Sequence, residues 1–412
     1  MFRVDARHSG VYEATGVVKF SRVKWSFHTG GMVVGSPTVA DRVVYAGSDD
    51  GNFYAIDAGS GVQKWKFAAK SRVPSTPAVA GDAVYFTAYD GNLYALERAN
   101  GQLKWKFQTS GERRFTAKHL HGVQPVNETM PDPFDCFLSS PIVWDGAVYF
   151  GSGDGNVYSV NAASGALNWK FKTGDVVHAS PAIADGTLFI GSWDSYFYAL
   201  DAATGQERWR FKTGEDPDTH NQVGIQSSAA VADGMVYFGC RDSHLYALDA
   251  RTGEKKWAFS GNGSWVISSP AVRDGKIYFD TSDTSLVIEA DAKSGAVLHS
   301  FNLNHWYLYS SPAIAGNMMY VGSTQGKFVA VDLAKFAPAW SFETEGMKQN
   351  GPTFTNPDGT PNEMKIYRSD FYDDMVSGVD RVMSMGSILG APVVVGNEVY
   401  FGSTDGNLYA LM

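Results

Sequence analysis

The sequence predicts an all-β fold: a single eight-bladed β-propeller of four-stranded antiparallel blades. Three observations predict it. A short unit recurs eight times, and each copy breaks into four apolar or aromatic alternations of strand length. The chain also begins with the last piece of a unit and ends with the third. A four-stranded sheet alone leaves both faces in water, whereas sheets stacked radially and closed into a ring cover one another.

The end of the unit is its clearest part. ALDAATGQERWRF (199–211) is echoed by AIDAGSGVQKWKF (55–67), SVNAASGALNWKF (159–171) and ALDARTGEKKWAF (247–259). Trp25, Trp65, Trp105, Trp169, Trp209, Trp257 and Trp340 each stand two residues before a Phe, and His299 takes that place before Phe301. Strand A carries a Ser-Pro or Thr-Pro pair in most copies, such as Ser36-Pro37, Thr76-Pro77 and Ser180-Pro181. Strand B reads VYFGS (148–152, 399–403), strand C reads LYALD (245–249), and strand D is the WKF piece. Turns such as Ala232-Asp233-Gly234 join A to B. An Asp sits in the B-to-C turn of seven copies, as in Asp154-Gly155, because Asp and Gly tolerate the left-handed backbone of tight hairpins. Each Trp is expected to lie flat on the adjacent blade, its indole N–H bonded to a backbone carbonyl near the turn. The N-terminal D-type strand (19–27) is expected to complete the last blade beside the final C-type strand (408–411), so residues 1–412 form one domain.

The pattern A-x-D-x-x-T-G-x-x-x-W in residues 199–209 and 247–257, with the order SSPAV…DG-x-VYFGS-x-DG-x-LYALD, resembles the tryptophan-docking repeats of the pyrroloquinoline-quinone (PQQ) repeat family. The resemblance runs from about residue 17 onward. That family includes quinone-dependent alcohol dehydrogenases, polyvinyl-alcohol dehydrogenases and the cofactor-free outer-membrane assembly lipoprotein BamB. In the alcohol dehydrogenases the quinone lies under a disulfide of adjacent cysteines, above a Trp, beside a calcium held by Glu, Asn and Asp. Here Cys136 and Cys240 are far apart and read as free thiols, no haem-attachment CxxCH is present, and no Glu stands at the funnel positions. No cofactor is therefore expected, and a PQQ- and calcium-dependent dehydrogenase with an atypical site is kept as a second alternative. The resemblance implies a periplasmic or secreted protein if a signal has been removed, and a cytoplasmic one otherwise. The start, MFRVDARHSG, lacks the apolar segment of a signal peptide and the lipobox cysteine of a BamB-like lipoprotein. A net charge of −9 without a Lys/Arg run gives no footprint for nucleic acid, and no apolar stretch is long enough to span a membrane.

Loop lengths locate the functional face. In an antiparallel meander the D-to-A and B-to-C connections share one rim. From the Trp of strand D to the next Pro takes 12 residues in three copies (Trp25–Pro37, Trp65–Pro77 and Trp169–Pro181). It takes 36 from Trp105 to Pro141, 20 from Trp209 to Ala229 and 52 from Trp340 to Pro392. The added chain, about 108–136, 213–224 and 343–388, falls on the D-to-A rim, where insertions on a rigid scaffold carry binding or catalysis.

The eight copies also serve as an internal comparison. Four residues before the Pro of strand A all are apolar (Val33, Val73, Phe137, Val177, Ile225, Val266, Leu308, Ile388), an inter-blade core column. Neighbouring columns vary and include Arg72, His178, Gln226, Trp265, Tyr307 and Tyr309; the B-to-C turn adds Trp193 and Arg241. Aromatic faces with a few directional polar groups suit a small-molecule or carbohydrate ligand. His178, Tyr309 and Arg241 are the candidate catalytic groups for acid–base, lyase-type chemistry, because a His, a Tyr and an Arg together suit proton abstraction beside a carboxylate. Arg72, Trp193, Gln226, Trp265, Tyr307, His119 and His121 are the candidate ligand contacts. His119-x-His121 is too isolated to be read as a metal site, and His220 belongs to the second insertion. In the third insertion, residues 367–385, Phe371, Met375, Val379 and Val382 fall on one stripe of a short amphipathic helix. Asp370, Asp373, Asp374 and Arg381 then form its solvated polar face, with spacing unlike an EF-hand loop. The leading reading is a non-quinone enzyme or binder of a small molecule; the alternative is a protein-interaction scaffold similar to BamB.

Overall fold

A computed structural model describes residues 2–215, 223–304 and 306–412. Eight four-stranded antiparallel sheets follow one another around an axis. Blade 1 is Thr38–Ala40, Val43–Gly47, Asn52–Asp57 and Gln63–Ala68. In blade 8, Val393–Val395, Glu398–Gly402 and Asn407–Leu411 are completed by the N-terminal Val23–His28, with Trp25 opposite Ala410. First and last parts of the chain are thus sewn into one sheet by backbone hydrogen bonds. Strand A is shorter than the Ser-Pro pattern suggested: it starts after the proline and spans three residues, as in Ala182–Ala184.

Six of the eight blades are seated on their neighbour by a tryptophan. The indole Nε1–H donates to the carbonyl of the next blade's C-to-D turn: Trp25 to Ala58 at 3.0 Å, Trp65 to Arg98 at 3.1 Å, Trp169 to Ala202 at 2.9 Å and Trp209 to Ala250 at 3.1 Å. A turn glycine packs against the ring face. A Cβ added at Gly205 (φ +72) would stand 2.6 Å from the Trp169 ring. In blade 7, Trp340 bonds instead to Val17 O and stacks on Phe20, so the N-terminal segment supplies the seat that the chain ends leave open. Blade 6 has His299 in place of Trp; it faces Phe336, which stands where the seat would be, with ring centroids 5.6 Å apart.

Nearer the axis the Ser-Pro pairs form a second set of links. The amide N–H of Ser36 donates to Thr76 Oγ1, and the pattern continues through Ser140, Ser180, Ser228 and Ser269 to Ser311, at 2.8–3.1 Å. Ala391 interrupts it in blade 8. The apolar column beside these pairs is buried except for the partly covered Phe137.

The segment before residue 18 is part of the fold, which the repeat pattern did not indicate. It crosses the inner strands of blades 4 to 8: Ala6, Arg7, Ser9 and Gly10 carbonyls accept from Ile183, Val231, Val272 and Ile314. Val11–Tyr12 pairs in parallel with Ile314–Ala315. The buried Arg3 guanidinium donates to Pro312 O and Pro270 O, both at 2.6 Å. Inside the ring a cavity of about 50 Å³ remains, touching Phe2, the Ser/Thr ring, His178, Gln226 and Tyr309. It has room for a few waters at most.

Gly205→Ala tests the indole seat. Gly234 also has positive φ (+76), but nothing lies within 4 Å of a Cβ there. Gly234→Ala should cost about 1 kcal/mol, the backbone term alone. Gly205→Ala should cost at least about 1 kcal/mol more, read by urea unfolding. Equal losses would mean the seat is not tight.

Candidate functional site

The first insertion leaves blade 2 after Leu103–Gln108 and folds over the rim. It forms a small hairpin, Thr116–Ala117 with Met130–Pro131, around a 3-10 turn at Leu120–Gly122. It then descends into the funnel, where three of its carboxylates meet ring residues. Asp135 Oδ1 is 2.6 Å from His178 Nδ1, and Glu112 Oε2 is 3.5 Å from His178 Nε2. Asp135 Oδ2 accepts from Phe115 N, and Glu112 accepts from Gly153 N and Ser152 Oγ, so the carboxylates are themselves held. The His178 side chain has no exposure. Burial alone would lower its pKa, but Asp135 and then Glu112 outweigh it and raise it to about 10. His178 is thus an imidazolium at neutral pH.

The third carboxylate, Asp132, is fully buried. It pairs with Arg241 Nη1 at 2.7 Å and His121 Nε2 at 3.2 Å, and accepts from Phe134 N at 2.8 Å. Burial pushes its carboxyl up, and Arg241 and His121 together hold it well below the usual carboxylate range. The Arg241 guanidinium lies between two indoles, 3.8 Å from the Trp265 ring centre and 4.7 Å from that of Trp193. Phe115 covers Trp193, stacked at 4.7 Å.

The third insertion contains three helices, α1 (Glu345–Phe354), α2 (Glu363–Ile366) and α3 (Tyr372–Ser384). Only α3 was legible; Gly346, Gly351 and Pro352 obscure the helical pattern of α1. Val379 and Val382 are buried as the stripe requires, but Phe371 caps α3 and is 58% exposed. The stripe therefore starts one turn later than expected. On the polar face, Asp374 pairs with Arg381 and accepts from the amides of Arg368 and Ser369. The first and third insertions meet: Gln124 N donates to Asp370 O, Tyr372 N to Gln124 O, and Tyr372 Oη to Pro131 O.

Between them opens a cleft of about 340 Å³. His121 and Phe134 come from the first insertion, Trp265 and Asp283 from blade 6, Tyr307 and Tyr309 from blade 7, and Tyr367 and Met375 from the third insertion. The Tyr307 hydroxyl is engaged by Glu363 of α2, and burial, then this contact, raises its pKa. Of the expected site residues, His121, Trp265, Tyr307 and Tyr309 therefore share one cleft. Trp193 and Arg241 lie behind its wall. His178 and Gln226 face the axial cavity, and Gln226 Nε2 holds Phe134 O at 2.9 Å. Arg72 stands apart on blades 1 and 2, 4.1 Å over the Tyr89 ring and 4.0 Å from Asp49. His119 points outward, and the HxH pair does not converge: His119 is exposed whereas His121 turns inward to Asp132. His220 lies outside the described residues. Asp283, Phe134, Tyr367 and Met375 were missed. Asp283 looked like one more turn aspartate, and the others sit in insertions without a repeat to compare.

The His178 clamp has a pH signature. Its pKa is higher folded, about 10, than the ordinary 6.5. Its stabilisation is therefore complete below pH 6.5 and is lost as pH rises toward 10. Unfolding free energy should fall through that window by up to about 1.4 kcal/mol per pH unit from this group. His178→Gln should flatten the slope and lower stability at pH 6; an unchanged slope would contradict the clamp.

A quinone and calcium do not fit these residues. The space between the two indoles, where a planar ring would stack, is filled by Arg241, and the three carboxylates that the first insertion brings inward, Asp132, Asp135 and Glu112, are committed to Arg241, His121 and His178. Among the described residues no group of three His, Cys, Asp or Glu is placed to hold a metal. Cys136 and Cys240 are free.

No curated protein sequence matches the chain. Among solved structures it is similar to BamB from Moraxella catarrhalis, with 16% identity and a TM-score of 0.67 over 95% of this chain and 97% of that one. It is also similar to a europium-containing methanol dehydrogenase (15%, TM-score 0.72, 100% and 97%). A third is the quinohemoprotein alcohol dehydrogenase from Comamonas testosteroni (14%, TM-score 0.71, 99% and 79%). At such identities the likeness concerns the fold. Residues 13–130, 137–262 and 261–412 match in turn the family described as outer membrane protein assembly factor BamB, and the chain belongs to that family of PQQ-like repeat propellers.

Proposed function

We propose that this protein binds a small organic molecule in the cleft between its first and third insertions. The observation that carries the reading is the wall of that cleft: five aromatic rings, from both insertions and two blades, around about 340 Å³. This volume falls within the range of small-molecule sites, and aromatic walls with few polar groups are their usual chemistry. Buried ion pairs hold the lid element in place, so the cleft needs little ordering on binding. The lyase-type reading is weakened by the position of its base. His178 lies outside the cleft and carries its proton, so it has no lone pair to offer. Arg241 acts through Trp265 and Asp132 as a positioning residue.

A second reading, contact with another protein, is supported by family membership and by Met364 (81% exposed) and Phe371 on the outer side of the third insertion. It does not compete for the cleft.

A thermal-shift panel of neutral sugars, uronates, aromatic acids and small amines tests the first reading. At least one compound should raise the melting temperature, with stabilisation of about 2.7 kcal/mol at a hundredfold excess over Kd. Tyr367→Ala should remove the shift and Arg72→Ala should leave it. A panel without any shift, or a shift that survives Tyr367→Ala, would overturn the reading.

A further inference from the structure

The repeat itself marks one side chain of the cleft as released from structural duty. In six blades the B-to-C turn aspartate is a cap. Asp50, Asp90, Asp154, Asp194, Asp242 and Asp405 each accept the hydroxyl of a tyrosine four residues on, at 2.5–2.7 Å. Each also accepts the amide two residues on, as Asp242 does from His244. Blade 6 has the same aspartate, Asp283, without these partners. Register places Ile288 opposite Phe279, where blade 5 has Tyr246 opposite Phe238, so the tyrosine is gone. The turn also has an extra residue. In blade 5 the left-handed Ser243 follows Asp242 directly, whereas Thr284 separates Asp283 from the left-handed Ser285. Among the described residues, Asp283 has the Ser282 hydroxyl as its side-chain partner, at 3.0 Å, and no ion pair. Its carboxylate opens into the cleft.

We infer that the ligand of this cleft is a cation, a protonated amine or quaternary ammonium, held by Asp283 within the ring of Tyr307, Tyr309, Tyr367 and Trp265. The inference rests on the cleft being a small-molecule site. A carboxylate among aromatic faces has no better complement than a diffuse positive charge, which the faces attract and the carboxylate neutralises. The lining contains no lysine or arginine. The cation behind it, Arg241, is already paired with Asp132, and the lining His121 turns its Nε2 to the same carboxylate. Arg241 covers one face of Trp265, so the three tyrosines and Asp283 supply most of the attraction. Although solvent reaches Asp283, the protein crowded around it raises its carboxyl pKa, and its field reaches all three tyrosines. A bound ammonium would satisfy that charge.

Choline and its neutral isostere 3,3-dimethylbutan-1-ol, titrated calorimetrically into the full chain, separate charge from shape. Choline should bind at least roughly tenfold tighter. Asp283→Asn should bring the two within about twofold by weakening choline alone. The same melting temperature in wild type and Asp283→Asn excludes a folding effect. Equal or tighter binding of the alcohol, choline affinity unmoved by Asp283→Asn, or no binding of either would overturn the inference. The first outcome, or a neutral compound from the panel whose binding depends on Tyr367, would leave the cleft reading standing; failure of the whole panel removes both.

Discussion

Every feature of this molecule depends on how one blade is seated on the next. In six blades the indole of the D strand needs a carbonyl and a bare glycine on its neighbour, and around most of the ring an inner strand hands an amide to the neighbour's hydroxyl. No blade is complete alone, so stability is a property of the ring. Where the ring is broken covalently, backbone pairing of Val23–His28 with Asn407–Leu411 repairs it, and Val17 supplies the missing acceptor for Trp340. The strap from Phe2 to Tyr12 adds a second tie across the inner edges of blades 4 to 8.

A scaffold fixed by repetition leaves its rim free to differ. The first insertion uses that freedom to bring Glu112, Asp132 and Asp135 inward. Buried carboxylates are costly unless matched, and His178, His121 and Arg241 match them. These pairs fix the lid in one position relative to blades 4 and 5. The third insertion then closes the opposite side through Tyr372 and α2, and the cleft is the gap left between them.

The ring was readable because its signals are periodic: tryptophan spacing, turn aspartates and the apolar column each occur many times. The rim was readable only in part. Tyr307, Tyr309 and Trp265 could be found as departures in an aligned column, and they line one cleft. His178 came from the same column, yet its role depended on Asp135 and Glu112, whose approach no repeat could foretell. Asp283 escaped for the opposite reason. It kept its residue type, and only the loss of its tyrosine partner and the added Thr284 changed its role. The strap escaped because its bonds are backbone bonds, which leave no mark on side-chain pattern.

On the inference drawn from Asp283, recognition arises where a copy leaves the repeat, at the turn of blade 6. Returning that turn to the common form, by deleting Thr284 and replacing Ile288 with Tyr, should recapture the Asp283 carboxylate in a hydroxyl bond. The affinity of that variant for whichever ligand the wild type binds in the cleft is the most direct measurement. Binding should fall at least roughly tenfold while the melting temperature holds; undiminished affinity in a variant that folds as well as the parent would contradict a role for the released carboxylate.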